Sequence, residues 1–146
     1  MAKVEQVYFE DVNEGDEIAG WPALENVSRT HFVRYAGASG DFNPMHHDDT
    51  IATKMGYPSV FGHGMFSAGV MSAYVTDWVG IGNTRKFGTE FRKQLFPGAT
   101  LTIAGKVTKK YKEGDESRID AEFEMKDQNG SLILKANVTA ALATRG

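Results

Sequence analysis

The chain of 146 residues contains no cysteine. Neither a disulfide framework nor a thiolate nucleophile is therefore available, and nothing indicates an oxidising compartment. No run of about 18 apolar residues occurs that could cross a bilayer, and residues 1–6 lack the apolar core of a signal peptide. We therefore expect a cytoplasmic protein that does not associate with a membrane.

An excess of positive charge is also absent. Lysine and arginine total 16 against 19 aspartates and glutamates, a net charge of −3, so we do not expect nucleic acid as a partner. With 41% hydrophobic residues and only four prolines, the chain can bury a substantial core without metal or disulfide support. No repeat, low-complexity segment or linker interrupts it, which predicts one domain over residues 1–146.

Three segments carry helical signals. The pattern predicts a first helix over residues 28–40, capped by Ser28 or Thr30 and brought to an end by Gly37 and Gly40.

The second and third helices follow after a short break. The second should run from Asp49 to Met55, with Asp48 or Asp49 as its cap and Gly56 as its stop. The third should run from Gly64 to about Val79. Its apolar side chains point in nearly every direction around the axis, which predicts a helix buried on all sides.

After residue 80 the hydrophobic period changes from helical to two. Alternating segments at 101–107, 119–125 and 132–142 predict strands, and 84–96 is a further candidate. The pair Asn129-Gly130 is a strong hairpin signal between the last two. A sheet with one apolar face needs a cover. We therefore expect an α+β fold, with an antiparallel sheet wrapped around one long central helix.

The most informative residues lie before that helix. Asp41 and His46 are separated by a rigid Asn-Pro turn, so both can face one cavity and share a water molecule. Gly64, at the predicted helix start, can offer an unobstructed backbone N–H to a developing oxyanion. This combination predicts chemistry on a carbonyl compound. His31 and His47 are expected at the surface.

These residues belong to a recognisable signature. The segment Tyr35–His46, which reads YAGASGDFNPMH, resembles the MaoC-like, or (R)-specific enoyl-CoA hydratase, branch of the hot-dog fold. The resemblance extends forward through His63-Gly64-Met65 to Ser72 and backward to residues 9–16. Residues 74–80 are similar to bacterial (3R)-hydroxyacyl-acyl-carrier-protein dehydratase subunits. Met45 is a mild departure, because an aliphatic residue usually stands there.

The resemblance implies a reaction and a role for each matching residue. Asp41 and His46 would add water to C3 of a trans-2-enoyl thioester and deliver a proton to C2, while the N–H of Gly64 polarises the thioester carbonyl. The reaction is reversible, involves the (3R)-hydroxyacyl isomer and uses no metal or redox cofactor. The supporting residues would be Asn43, which aims the pair, and Ser72, which supports the site or only packs. The sequence itself leaves two roles for His63, holding the loop before Gly64 or acting directly in catalysis, and Met65 is expected in the core or tunnel wall.

The resemblance also implies partners. The substrate would be an acyl-CoA or an acyl-carrier-protein thioester, and the phrase from Asp41 to His46 does not distinguish them. Hot-dog domains usually pair, so a homodimer or a heterodimer with a second hot-dog subunit is expected.

Three other functions fit parts of the pattern. His46, Asp48 and His63 offer the two imidazoles and one carboxylate of a metal site. A hot-dog thioesterase would act on the same thioester, but its acid/base residue usually lies on or near the central helix, where only Asp77 is available beyond the first residues. The third alternative is a non-catalytic acyl-binding subunit of a paired assembly.

Overall fold

The computed structural model describes residues 6–18 and 24–146, so most of the N-terminal stretch used to judge a signal peptide lies outside it. Within these residues, five antiparallel strands form one sheet in the order β1-β3-β4-β5-β2. The strands are β1 (Glu17–Ile18), β2 (Thr84–Phe91), β3 (Thr102–Glu113), β4 (Glu116–Lys126) and β5 (Leu132–Leu142). The α-helices are α1 (Arg29–Ser39), α2 (Asp49–Lys54) and α3 (Gly64–Val79).

The sheet packs against α3 through a ring contact that depends on one glycine. Gly105 on β3 stands opposite Phe123 on β4, and a Cβ at Gly105 would lie 2.4 Å from the Phe123 ring. The space left by the missing side chain lets Phe123 lie in the core, where it makes edge contacts with Tyr74 at 5.8 Å and Trp78 at 6.0 Å. These contacts hold α3 against the sheet.

The bounds of α3 match the sequence prediction, but its burial does not. Six of its side chains are buried, namely Ser67, Ala68, Met71, Tyr74, Val75 and Val79. The opposite side, however, leaves an exposed stripe at every fourth residue, which consists of Met65, Gly69, Ala73 and Asp77. The expectation of burial on all sides was therefore wrong for the single chain, because one sheet covers only one side of the helix.

Two other predicted ends are corrected by the structure. Gly37 lies inside α1, and the helix ends at Gly40, whose φ of 75° is left-handed. The strand predicted over 84–96 ends at Phe91. Beyond it, the N–H groups of Arg92 and Lys93 both donate to the carbonyl of Ile133. Two consecutive N–H groups cannot point at one carbonyl in a regular ladder, so the chain leaves the sheet there.

None of the helices in the described residues is both long enough and apolar enough to cross a membrane.

Candidate active site

The segment after α1 forms a tight loop that presents the carboxylate of Asp41. The N–H of Asn43 donates to Oδ1 of Asp41 at 3.2 Å, and the side-chain oxygen of Asn43 accepts from the N–H of Met45 at 3.2 Å. Pro44 then opens one turn of 3₁₀ helix that ends at His46. One oxygen of Asp41 is thus used within its own loop, which leaves Oδ2 free. Asn43 therefore shapes this turn.

His46 is held in one tautomer. Its Nδ1 lies 2.7 Å from the carbonyl oxygen of Phe61, and because a carbonyl can only accept, Nδ1 carries the proton. The free Nε2 then lies 3.9 Å from Oδ2 of Asp41, too far for a direct hydrogen bond. Only 8% of His46 is exposed.

The surroundings of His46 also determine its protonation. Burial lowers the pKa of the His46 imidazole below its ordinary value of 6.5, while the hydrogen bond to Phe61 acts in the opposite direction. Among the weaker charge effects, His63 and His47 lower this pKa and Asp41 raises it. The net result favours a neutral imidazole with a lone pair on Nε2.

His63 contacts both the loop of Asp41 and the ring of His46. Its Nε2 lies 3.0 Å from the backbone carbonyl of Asp41, and its ring stacks on that of His46 with centroids 3.9 Å apart. Tyr35 packs against the His63 ring with centroids 4.9 Å apart. The side chain predicted to hold the loop before Gly64 therefore contacts the loop of Asp41, 22 residues earlier in the chain.

Gly64 is the first residue of α3. Its N–H has no hydrogen-bond acceptor among the residues that the structure describes, and N–H groups at a helix start carry partial positive charge. A Cβ at this position would lie 3.1 Å from the ring of Phe91. The Phe91 ring therefore lies beside Gly64, and the N–H, which has no acceptor in the described residues, is available to an anionic oxygen.

A cavity of ≈ 260 Å³ adjoins this glycine. Its lining includes Phe61, Ser67 and Phe91, with Arg92 and Lys93 also contributing. Ser67 and Phe91 were not identified from the sequence. Ser67 follows Gly64 by three residues, which places both on one helix face and was a usable signal; Phe91 reaches the site only through sheet packing.

The other two predicted support residues are less buried. Met65, at the second position of α3, is 60% exposed, so the expectation that it lies in the core is wrong for the single chain. Ser72 is half-buried and follows Gly64 by eight residues, a rise of about 12 Å along the helix. Its supporting role stays a prediction.

The alternative site residues are placed elsewhere. Asp48 caps α2, where its side chain accepts from the N–H groups of Thr50 and Ile51. The carboxylate that joins His46 and His63 is that of Asp41, so the metal-site hypothesis named the wrong aspartate. Asp77 is exposed, 13 residues beyond Gly64 or about 20 Å along the helix.

The two remaining histidines differ from each other. His47 is exposed as expected. His31 is half-buried, which corrects its expected surface position, because its Nδ1 accepts the N–H of Ser28 at 2.9 Å in a reciprocal helix cap.

Comparison with known proteins decides the family. The model of the MaoC like domain matches residues 21–129. The chain belongs to the MaoC-like family. The (R)-specific enoyl-CoA hydratase of Rhodospirillum rubrum is 29% identical over 109 residues, which cover 70% of this chain and 74% of that protein. The 3-hydroxyacyl-thioester dehydratase X of Mycobacterium tuberculosis is 43% identical over 53 residues, which cover 36% of this chain and only 19% of that protein.

The fold agrees with this MaoC-like assignment. The unliganded R-hydratase PhaJ1 from Pseudomonas aeruginosa superimposes with a TM-score of 0.83 over 96% of this chain and 88% of that one, at 19% identity. An antiparallel sheet around a central helix is the hot-dog fold, so the fold predicted from the sequence is confirmed.

Proposed function

We propose that this MaoC-like chain is an (R)-specific hydratase/dehydratase, a lyase that interconverts trans-2-enoyl thioesters and (3R)-hydroxyacyl thioesters. The observation that carries the proposal is the gap of 3.9 Å between Nε2 of His46 and Oδ2 of Asp41. A water molecule beside this gap can donate one hydrogen bond to each of the two atoms, because both atoms are acceptors and water has two protons.

The reaction needs a base for this water. As the oxygen of water bonds to C3 of the enoyl group, one proton passes to the Asp41–His46 pair, and the pair then returns a proton to C2. The neutral state of His46, maintained by burial, leaves its Nε2 able to accept that proton. General base assistance of this kind is worth about 10²- to 10⁴-fold.

The reaction also needs a donor for the thioester oxygen. Negative charge develops there as water adds, and the N–H of Gly64 at the start of α3 makes no hydrogen bond to any acceptor in the described residues. One such donor is worth about 3 kcal/mol, and the helix dipole adds to it. Dehydration uses the same groups in the opposite sense.

The substrate carrier is CoA or acyl carrier protein. Both bring phosphate groups, and Arg92 and Lys93 line the cavity beside Gly64 with exposed side chains. Glu90 lies 2.9 Å from Arg92 and offsets its charge, so Lys93 supplies the positive charge that favours either carrier. The exposed stripe of α3 supports pairing with a second hot-dog subunit, either identical or different. We expect the protein to act in the cytoplasm.

The test is loss of the conjugated enoyl-thioester absorbance when the purified protein meets trans-2-enoyl-CoA of short, medium and long chain. Asp41→Asn keeps the acceptor for the N–H of Asn43 but removes the charge, and His46→Ala removes the base. We expect both to lose activity, whereas His47→Ala, an exposed neighbour, keeps it. Full activity in Asp41→Asn would refute the assignment.

A further inference from the structure

His63 is the residue immediately before α3, next to the glycine whose N–H is assigned to the thioester oxygen. Only 2% of His63 is exposed, and its side chain does not line the cavity beside Gly64. Because protein atoms cover this imidazole, we expect it to act on the reaction through its neighbours and not by touching the substrate.

The first of these neighbours is Asp41. Nε2 of His63 lies 3.0 Å from the backbone carbonyl of Asp41, and since a carbonyl only accepts, Nε2 donates. The other hydrogen bonds of Asp41 in the described part of the chain are local. Its N–H donates to Oγ of Ser39, and its Oδ1 accepts from the N–H of Asn43. Among the described residues, His63 therefore makes the one hydrogen bond that ties Asp41 to a distant part of the chain.

The second neighbour is His46. Its ring stacks on that of His63 with centroids 3.9 Å apart and 30° between the planes, and Tyr35 contacts the His63 ring at 4.9 Å. These two ring contacts and the close burial hold the imidazole of His63 in place, so its Nε2–H is a fixed donor. The carbonyl of Phe61 meanwhile holds Nδ1 of His46. Residues 61–64 thus hold both members of the pair and supply the oxyanion donor.

Stability alone does not explain a histidine at this position. Nδ1 of His63 is buried and has no hydrogen-bond partner among residues 6–18 and 24–146, and an unpaired buried polar atom costs free energy. An apolar ring of similar size would avoid that cost. Asp41 is exposed, so water can donate to its carbonyl if His63 does not. What an apolar ring cannot supply is a fixed donor to Asp41.

We propose that His63 is a positioning residue of the hydratase reaction. Its Nε2–H holds the loop of Asp41 so that Oδ2 stays 3.9 Å from Nε2 of His46, the separation that both atoms need to bind one water molecule. The proposal rests on the proposed function, which it deepens. Misplacing reacting groups by about 1 Å costs about 10²-fold in rate, so a fixed donor at this point has a large effect without any proton transfer by His63.

Two substitutions separate the donor from the ring. His63→Phe keeps a buried ring and removes the donor, whereas His63→Gln removes the ring and keeps an N–H for the Asp41 carbonyl. We expect His63→Phe to lower kcat on trans-2-enoyl-CoA by about 10²-fold, with KM unchanged and the urea midpoint not lowered. His63→Gln should retain a kcat about tenfold or more above that of His63→Phe. His47→Gln, at the exposed neighbouring histidine, should behave as the unaltered chain does.

Crystal structures of the same variants test the geometry independently of activity. The gap between Nε2 of His46 and Oδ2 of Asp41 should stay near 3.9 Å in His63→Gln and lengthen by about 1 Å in His63→Phe. Full kcat or an unchanged gap in His63→Phe would overturn the proposal, as would a loss of kcat explained by a lower urea midpoint. Equal losses in both variants would also overturn it, because they would indicate direct proton transfer by His63.

Failure of the proposed function gives a different result. An unaltered chain that hydrates no enoyl-CoA of any length would refute the hydratase assignment. The gap in the crystal structures of His63→Phe and His63→Gln would still show whether His63 positions Asp41.

Discussion

Replacing Gly64 by alanine separates the oxyanion role of this residue from its structural role. The backbone at Gly64 does not have the positive φ that requires glycine, and the new Cβ would meet only the Phe91 ring, at 3.1, 3.3 and 3.5 Å. Phe91 is 53% exposed, so its ring can move by a few tenths of an ångström. We therefore expect the free energy of unfolding to change by less than about 1 kcal/mol.

Activity should respond quite differently. The methyl group would stand beside the N–H where the thioester oxygen approaches, and loss of one oxyanion donor lowers the rate by about 10²- to 10³-fold, or roughly 3 to 4 kcal/mol. The assay compares kcat/KM on trans-2-enoyl-CoA with the urea midpoint of the same preparation. A stable Gly64→Ala variant with reduced kcat/KM is the expected result.

A matched control lies on α1. Gly37 is exposed and a Cβ there would meet nothing within 4 Å, so Gly37→Ala should stabilise α1 by about 0.5–1 kcal/mol and leave kcat/KM unchanged. Adding Phe91→Ala to Gly64→Ala removes the displaced ring, and it should not restore activity. Equal kcat/KM in Gly64→Ala and Gly37→Ala would refute the oxyanion role.

Three further outcomes follow from the structure. Gly105→Ala should destabilise the fold by about 1–3 kcal/mol, because its Cβ would overlap the buried Phe123 ring. Urea unfolding checks this cause: Gly105→Ala should lower the free energy of unfolding less in a chain that already carries Phe123→Leu than in the unaltered chain. Asp48→Ala should cost about 1 kcal/mol through loss of the α2 cap but retain activity, and an inactive, stable variant would contradict this. Burial lowers the pKa of His46. The acidic limb of the kcat/KM profile should therefore lie below pH 6.5, and a limb above pH 6.5 would contradict this. His46 also contributes stability that is present above the unfolded pKa of 6.5 and is lost as pH falls through the lower folded pKa.

Local signals predicted that Asp41 and His46 lie close together and where α3 begins and ends, and the structure confirms both. Asp41 and His46 are five residues apart and joined by a turn whose residues specify its geometry. Gly64 was recognisable because a glycine followed by a long apolar run indicates a helix start. These inferences depend only on contacts between near neighbours in the chain.

Contacts between residues that are far apart in the chain were not predicted from the sequence. The carbonyl that sets the His46 tautomer belongs to Phe61, 15 residues away, and a backbone carbonyl has no residue signature. The bond from His63 to Asp41 spans 22 residues, and the expected role of His63 in its own loop missed it. For the same reason, the metal hypothesis selected Asp48, which is nearer to His46 in the chain, over Asp41.

The amino-acid sequence by itself determined the helix positions, the alternation of the strands, the family and the proximity of Asp41 to His46, because each depends on short-range periodicity or on a contiguous motif. Only the tertiary structure decided the tautomer of His46, the exposed side of α3 and the position of Phe91 beside Gly64. These features depend on which distant backbone and side-chain atoms the fold brings within a few ångströms, and burial and hydrogen bonding act over just that range.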